Sequence, residues 1–157
     1  MQSRASAVAW KSVRKARLVS NLDMSLANDV QEVGRVIDAL EEFGAENGIA
    51  PDQALRFGLA LDELITNIIS HGFGGRSDCT IRLRIEHDHG VLRAELQDDG
   101  LPFDPLTAEI ELPEGDIEDR KIGGLGVTLV RKIMDRLDYR REDGFNRLKM
   151  EMNLKAA

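Results

Sequence analysis

The stretch Leu59–Phe73, LALDELITNIISHGF, decides the fold, because it predicts a buried helix that carries a single polar stripe. Apolar residues surround the axis of this helix almost completely, which is typical of a helix packed inside a domain. Glu63, Asn67 and His71 recur every four residues, so successive members turn by only about 40° around the axis and share one face. A buried carboxylate or amide needs a partner. Two interpretations follow: the stripe faces solvent, as on any amphipathic helix, or it lines a cleft where a ligand or metal supplies the partners.

Upstream of this helix, the pattern predicts a strand at 15–20 and then an amphipathic helix. The amphipathic helix is expected to open at Asn28, with Gln31 as its capping partner, and to stop near Gly48. Its buried face is expected to consist of Val30, Val33, Ile37 and Leu40. The buried helix then spans 51–72, opened by a proline and an aspartate.

Downstream, two hairpins and a third helix complete the pattern. Residues 81–86 and 92–97 alternate between apolar and polar side chains, as half-buried strands do. Two dipeptides predict the hairpin turns, His89-Gly90 and Asp143-Gly144. The third helix is expected to carry Leu129, Ile133 and Leu137 one turn apart. The order β-α-α-β-β-loop-α-β-β predicts an α+β fold, a two-layer α/β sandwich with the helices on one face of a mostly antiparallel, mixed sheet.

Length and composition favour a single domain spanning 1–157, with a tail at 1–13. The chain is 42% hydrophobic and 31% charged, and no apolar run approaches the roughly 20 residues that a membrane helix needs. A single cysteine, Cys79, favours a reducing, cytoplasmic setting. The net charge of −7 argues against nucleic acid as a direct partner, because phosphate backbones are held by Lys and Arg.

Asp98 stands where the second alternating segment meets an acidic loop. Residues 98–119 contain nine acidic side chains and no basic one, a run typical of a solvated loop. Asp98 nevertheless shares the strand parity of Leu92 and Leu96, which predicts that it points toward the core. A carboxylate there needs donors, and the exocyclic amino group of an adenine would serve. The alternative is that the strand has ended and Asp98 only begins a turn.

A glycine run at 123–126, GGLG, precedes the third helix. Glycines let backbone N–H groups approach a phosphate closely, and the N-terminus of a helix favours negative charge. The run is not a P-loop, because no Gly-Lys-Ser/Thr follows, and it is not a dinucleotide fingerprint, because no parallel βαβ unit surrounds it. A flexible hinge is the alternative interpretation.

Together these features resemble the GHKL ATPases, which carry an E-x-x-x-N helix, a D-x-G at a strand end and a G-x-G before a helix, in that order. Within this superfamily, the detailed resemblance is to the bacterial anti-sigma-factor serine/threonine kinases of partner-switching systems. LALDELITNIISHGF is similar to their N-box, and LQDDGLPFDP is similar to their D-x-G-x-x-F-D loop. GGLGVTLVRKIMD is similar to their G2 box, and FNRLKMEMNL to their final strand. The resemblance covers roughly residues 15–154.

The resemblance implies a site for ATP and Mg²⁺. Glu63 matches the general base that takes the proton of the substrate hydroxyl, and Asn67 matches the Mg²⁺ ligand. Asp98 matches the aspartate that reads the adenine amino group, and Gly100 would let the base pack close. The resemblance also implies that His71 reaches the phosphates, that Phe103 closes over the nucleotide, and that Thr128 adds a hydroxyl near the base. Gly124 and Gly126 would cradle the phosphates, with Arg120 or Lys121 neutralising the γ-phosphate. The other residues implied to bind ATP are Gly123, Leu125 and Val127.

The resemblance also implies a function and partners. The chain is expected to be a protein serine/threonine kinase that phosphorylates a STAS-domain antagonist, sequesters a sigma factor or another regulator, and forms a homodimer. Residues 106–122 would form an ATP lid. Position 122 is isoleucine where the family often has a basic residue, although Arg120 and Lys121 lie just upstream. A nucleotide-dependent binding module with little or no phosphoryl transfer is therefore the alternative.

Overall fold

The computed structural model describes residues 19–107 and 125–156. Their elements follow the predicted order, and no helix within these ranges is long and apolar enough to cross a membrane. The elements are β1 (Ser20–Ala27), α1 (Glu32–Glu46), α2 (Pro51–His71), β2 (Thr80–Asp88), β3 (Val91–Asp98), α3 (Leu125–Ile133), β4 (Arg136–Glu142) and β5 (Phe145–Asn153).

The five strands form one sheet in the order β1-β2-β3-β5-β4. All four pairings of these described strands are antiparallel, so the expectation of a mixed sheet is wrong for this part of the chain. Two helices, α1 and α2, connect β1 to β2. Because α1 leads the chain back along the sheet and α2 returns it, β2 starts at the end where β1 finished and runs antiparallel to it. The two hairpins close tightly, and His89 and Asp143 both adopt positive φ before their glycines.

One face of the sheet is apolar and carries the helices. Inward positions of β2, β3 and β5 alternate with polar ones along each strand. They form one buried cluster with α2, which contributes Phe57, Leu61, Leu64 and Ile65 to it. The opposite face carries charged side chains joined by ion pairs such as Arg93 with Glu151. This arrangement is the predicted α+β two-layer sandwich.

The start of α1 differs from the prediction. The helix begins at Glu32, and the Asn28–Gln31 capping box is absent from this described segment; instead the Asp29 carboxylate accepts a hydrogen bond from the Gln31 N–H. Val30 therefore precedes the helix and is 56% exposed. The residues of α1 that the core buries are Val36, Leu40, Phe43 and Gly44. The strand predicted at 15–20 is also displaced, since β1 begins at Ser20 and residues 15–18 lie outside the described ranges.

The end of α3 differs as well. The helix stops at Ile133, because the Asp135 N–H donates a hydrogen bond to the Glu151 carbonyl of β5 and the chain joins the sheet. Leu137 consequently belongs to β4 rather than to the helix. Leu129 is 41% exposed, and the residues buried at this end of the chain are Val130, Ile133 and Met134. The predicted face of α3 was wrong for Leu129 and Leu137.

Candidate nucleotide-binding site

The polar stripe of α2 is not a simple solvent face. Asn67, in its middle, is 6% exposed, whereas Glu63 is half-buried and His71 is exposed. The Nδ2 atom of Asn67 is buried and has no hydrogen-bond partner among the described residues. A buried amide N–H without a partner costs about 1–3 kcal/mol. The stripe therefore holds an unmet hydrogen bond at its centre, which a bound ligand would satisfy.

Glu63 lies against the first turn of α3. A Cβ atom built on Gly126 would overlap the Glu63 carboxylate, so the two residues are in direct contact across the α2–α3 interface. The sequence prediction placed Gly126 at the phosphates; the structure adds that a Cβ at this position would displace the Glu63 side chain from where it lies. The N-terminal turn of a helix carries partial positive charge. This packing thus holds the Glu63 carboxylate where an anion is favoured.

Gly126→Ala is expected to destabilise the protein by about 1–3 kcal/mol, because the new methyl group overlaps Glu63. Adding Glu63→Ala should relieve the overlap and produce a coupling energy of about 0.5–3 kcal/mol in a double-mutant cycle measured by urea unfolding. Gly34→Ala is the matched control, since Gly34 is a helical glycine with no atom near its missing Cβ. The control should raise the free energy of unfolding by about 0.5–1 kcal/mol. Additive effects of the Glu63 and Gly126 substitutions would contradict the contact.

Asp98 is the last residue of β3 and is only 3% exposed, so the alternative of a strand that ends before it is wrong. Its Oδ1 atom accepts hydrogen bonds from the Gly100 N–H and from Asn146 Nδ2, both at 2.9 Å. Burial raises the pKa of this carboxyl above its ordinary value, while the hydrogen bonds from Asn146 and Gly100 and the charge of Arg141 oppose that rise. A buried carboxylate with one saturated oxygen is suited to accept a ligand's N–H.

Gly100 has a structural role that the sequence did not reveal. A Cβ on Gly100 would lie 2.7 Å from the Gly72 carbonyl oxygen and 2.8 Å from a ring carbon of Phe73. The Leu101 N–H donates to the same Gly72 carbonyl at 3.1 Å. The loop after β3 is therefore packed directly onto the C-terminal end of α2. This contact brings Asp98 beside the end of the polar stripe.

The aromatic rings of Phe103, in the loop after β3, and His71, at the end of α2, lie close to each other. Their ring centroids are 6.4 Å apart with an angle of 37° between the ring planes, and Phe103 is half-buried. Two arginines hold the loop from outside: Arg141 donates to the Gly100 carbonyl at 2.8 Å, and Arg131 donates to the Leu106 carbonyl at 3.2 Å. The loop is thus anchored at both ends by side chains from β4 and α3.

Asn146 and Tyr139 belong to the site although the sequence prediction missed them. Asn146 is 3% exposed, is the register partner of Asp98 and makes hydrogen bonds to four groups around it. The parity that singled out Asp98 also applies here, because Asn146 shares the inward face of Leu148 and Met150. Tyr139, on β4, donates its hydroxyl to Asn146. No sequence pattern indicated Tyr139, because its contact depends on the β4–β5 pairing.

The remaining predicted residues lie around the start of α3. Leu125 is its first residue, Val127 is half-buried and Thr128 is exposed. Most of the predicted lid at 106–122 lies outside the described residues. The same is true of four residues predicted to bind ATP: Arg120, Lys121, Gly123 and Gly124.

The donor set fits Mg²⁺ held together with phosphates. Among the described residues no group of three or more His, Cys, Asp or Glu side chains is placed to hold a metal ion. In nucleotide sites, however, Mg²⁺ is commonly bound by one or two side chains, phosphate oxygens and water. The buried Asn67 amide meets that requirement, because turning it over would place its carbonyl oxygen where the unpartnered nitrogen now lies.

Comparison with known proteins gives a consistent family. Residues 26–152 match the model of the histidine kinase-like ATPase domain. The chain is 34% identical over 96 residues to serine/threonine-protein kinase BtrW of Bordetella bronchiseptica. The aligned region covers 60% of this chain and 68% of BtrW. It is 28% identical over 85 residues to the anti-sigma F factor of Clostridium beijerinckii, and this aligned region covers 54% of this chain and 59% of that protein. The matched region thus spans less than two thirds of the clostridial relative.

A solved structure shares the fold. The structure of the RsbU and RsbW domains of Rv1364c from Mycobacterium tuberculosis superposes with a TM-score of 0.64 at 16% identity, covering 88% of this chain and 33% of that one. In this chain, α2 packs Glu63 against α3, and the buried Asp98 ends the central strand β3. This chain therefore belongs to the family of histidine kinase-like ATPase domains.

Proposed function

We propose that this protein is a serine/threonine kinase and anti-sigma factor of a partner-switching system, which binds Mg-ATP between α2, the loop after β3 and the start of α3. The central support is the buried Nδ2 atom of Asn67, which has no hydrogen-bond partner in residues 19–107 and 125–156. Asn67 lies about one helical turn from Glu63 on one side and from His71 on the other. Each step of four residues advances about 6 Å along the helix, so the stripe spans about 12 Å from Glu63 to His71. That length matches a nucleotide laid along the helix, with its base toward Asp98.

Each residue then has a role that its surroundings support. Asp98 accepts a hydrogen bond from the exocyclic amino group of adenine, and its burial excludes competing water. Asn67 binds beside the phosphates, and Mg²⁺ neutralises phosphate charge when it is bound there. Glu63, held by α3, accepts the proton of an incoming serine or threonine hydroxyl as that oxygen attacks the γ-phosphorus.

The relatives support the class of substrate and partner. BtrW is named a serine/threonine-protein kinase, and the clostridial relative is named an anti-sigma F factor. By this likeness we infer that the phosphate acceptor is a STAS-domain antagonist protein, that the sequestered partner is a sigma factor or a similar regulator, and that the kinase acts as a homodimer in the cytoplasm.

A binding module with little transfer is the second candidate. Ile122 occupies a position where a basic residue would neutralise the γ-phosphate, and nine acidic residues lie between 98 and 119. Both features disfavour turnover more than binding, since negative charge near the phosphates opposes the developing charge of the transferred group.

Incubation with γ-labelled ATP, Mg²⁺ and the cognate STAS-domain protein separates the two functions. Under the kinase proposal, label appears on the STAS protein and not on a variant whose acceptor serine is alanine. Tight ADP and ATP binding without any labelled STAS protein, under conditions where the complex forms, would favour the binding module.

A further inference from the structure

We propose that Asn146, held in place by Tyr139, is a positioning residue that makes the site prefer adenine over guanine nucleotides by fixing one oxygen of Asp98. This inference rests on the proposed reading of adenine by Asp98. Both residues lie on the β4–β5 hairpin, and the resemblance assigns a site role to neither of them.

The orientation of the Asn146 amide is determined by its neighbours. Its Nδ2 atom lies 2.9 Å from Asp98 Oδ1 and 2.7 Å from the Leu101 carbonyl oxygen, which are both acceptors. Its Oδ1 atom lies 3.3 Å from the Phe103 backbone nitrogen, which can only donate. If the amide were turned over, its NH₂ group would face the Phe103 N–H, and its oxygen would face Asp98 Oδ1 and the Leu101 carbonyl oxygen. Only the observed orientation is compatible with all three neighbours.

Tyr139 makes the fourth hydrogen bond to the Asn146 side chain. Its hydroxyl lies 2.6 Å from Asn146 Oδ1 and must donate to it, because that amide oxygen can only accept. Burial raises the pKa of Tyr139, so the phenol stays protonated at neutral pH and keeps this donor. Asn146 thereby uses both amide hydrogens and both lone pairs of its oxygen while it is 3% exposed. Such a saturated, buried network has one arrangement and resists rotation.

This network determines which oxygen of Asp98 is left to accept a hydrogen bond from a ligand. Its Oδ1 atom is occupied by Asn146 and by the Gly100 N–H, and these are the hydrogen bonds to this carboxylate within the described part of the chain. The incoming base therefore meets the other oxygen, Oδ2. Adenine presents an amino donor at the edge where guanine presents a carbonyl acceptor. A carboxylate oxygen that is held as an acceptor binds the first and repels the second.

Asn146→Asp tests the inference, because it keeps the shape and replaces the donor by a carboxylate facing Asp98. Calorimetric titration at neutral pH is expected to show ADP affinity lowered about tenfold or more, with a smaller ratio of ADP to GDP affinity. Two carboxyl groups in contact share a proton as pH falls, so ADP affinity of this variant should recover partly in acid, unlike that of wild type. The other charged and titratable groups that face Asp98 are Arg141, Asp99, Tyr139 and Cys79. Asn153→Asp, an exposed position on the same strand, is the control and should bind as wild type does.

Tyr139→Phe is the milder variant, since it removes one hydroxyl and preserves the packing of the ring. It should lower ADP affinity by about 2- to 10-fold and reduce the preference over GDP, because the amide loses the donor that orients it. Unchanged ADP-to-GDP ratios in both variants, with wild-type unfolding temperatures, would overturn the inference. If Asp98→Asn also left ADP affinity unchanged, the proposed adenine site itself would be wrong. Loss of affinity in Asp98→Asn alone would remove only the role of Asn146 and Tyr139.

Discussion

Glu63→Gln is expected to lower phosphoryl transfer to the acceptor protein by about 10²–10⁴-fold while ATP affinity changes little. A serine hydroxyl is a weak nucleophile, and its proton must leave as the oxygen attacks the γ-phosphorus. The Glu63 carboxylate is half-buried, rests on the first turn of α3 and lies one helical turn before Asn67. Glutamine keeps the side-chain shape and the contact with Gly126 but cannot accept the proton.

Single-turnover transfer of label from γ-labelled ATP to a STAS-domain protein measures this effect, and calorimetry with ADP measures binding separately. Asp62→Asn is the matched control, because Asp62 precedes Glu63 on the same helix but is exposed and accepts a hydrogen bond from Thr66. The control should transfer phosphate at nearly the wild-type rate. A robust wild-type rate that persists in Glu63→Gln would exclude Glu63 as the base.

Asp98→Asn is expected to lower the affinity for ADP and ATP about tenfold or more and, at neutral pH, to raise the stability of the nucleotide-free protein. The first effect follows from the loss of a charge-assisted hydrogen bond, which contributes about 1.5–3 kcal/mol. The second follows from burial, because the ionised carboxylate is 3% exposed and asparagine carries no charge to desolvate. The amide oxygen of asparagine can still accept from Asn146 and Gly100. Function and stability therefore oppose each other at this position.

The pH dependence of unfolding gives an independent measure. Burial raises the pKa of Asp98 in the folded state above its ordinary value of 3.8, so folding favours the protonated carboxyl. The stability contributed by that protonation is fully present below the unfolded pKa and is lost as pH rises through the folded pKa. Urea unfolding should therefore show the stability advantage of Asp98→Asn at neutral pH and a smaller advantage in acid.

Asp99→Asn is the control for both measurements. Asp99 follows directly in sequence, but its side chain is 46% exposed and pairs with Arg76 at a distance of 3.9 Å. Exposed pairs of this kind contribute about 0–1 kcal/mol. Nucleotide affinity and the pH profile should stay close to wild type. Equal effects of the two substitutions would mean that the charge of the loop, and not the buried carboxylate, controls binding.

The sequence by itself determined the features that depend on local periodicity. A helix that is apolar on nearly all sides predicted α2, and the observed bounds, Pro51–His71, agree with that prediction. Alternation predicted the β2–β3 hairpin, and the same parity predicted that Asp98 points inward. Both hairpin turns were predictable, because the dipeptides at 89–90 and 143–144 tolerate the positive φ that they adopt.

Only the tertiary structure decided which residues meet across the site. The start of α1 and the end of α3 were wrongly predicted, because a turn closed by the Asp29 carboxylate precedes α1 and a strand hydrogen bond from Asp135 ends α3. The predicted face of α1 was right for Leu40, which is buried, and for Val33, which packs against the core. The contact of Glu63 with Gly126 and the hydrogen bonds of Asn146 with Asp98, Leu101 and Phe103 join residues more than 40 positions apart. Such contacts arise from the order of the strands and the packing of helices on the sheet. A pattern that repeats every two to four residues reports which way a side chain points, but it cannot report which distant side chain is there to meet it.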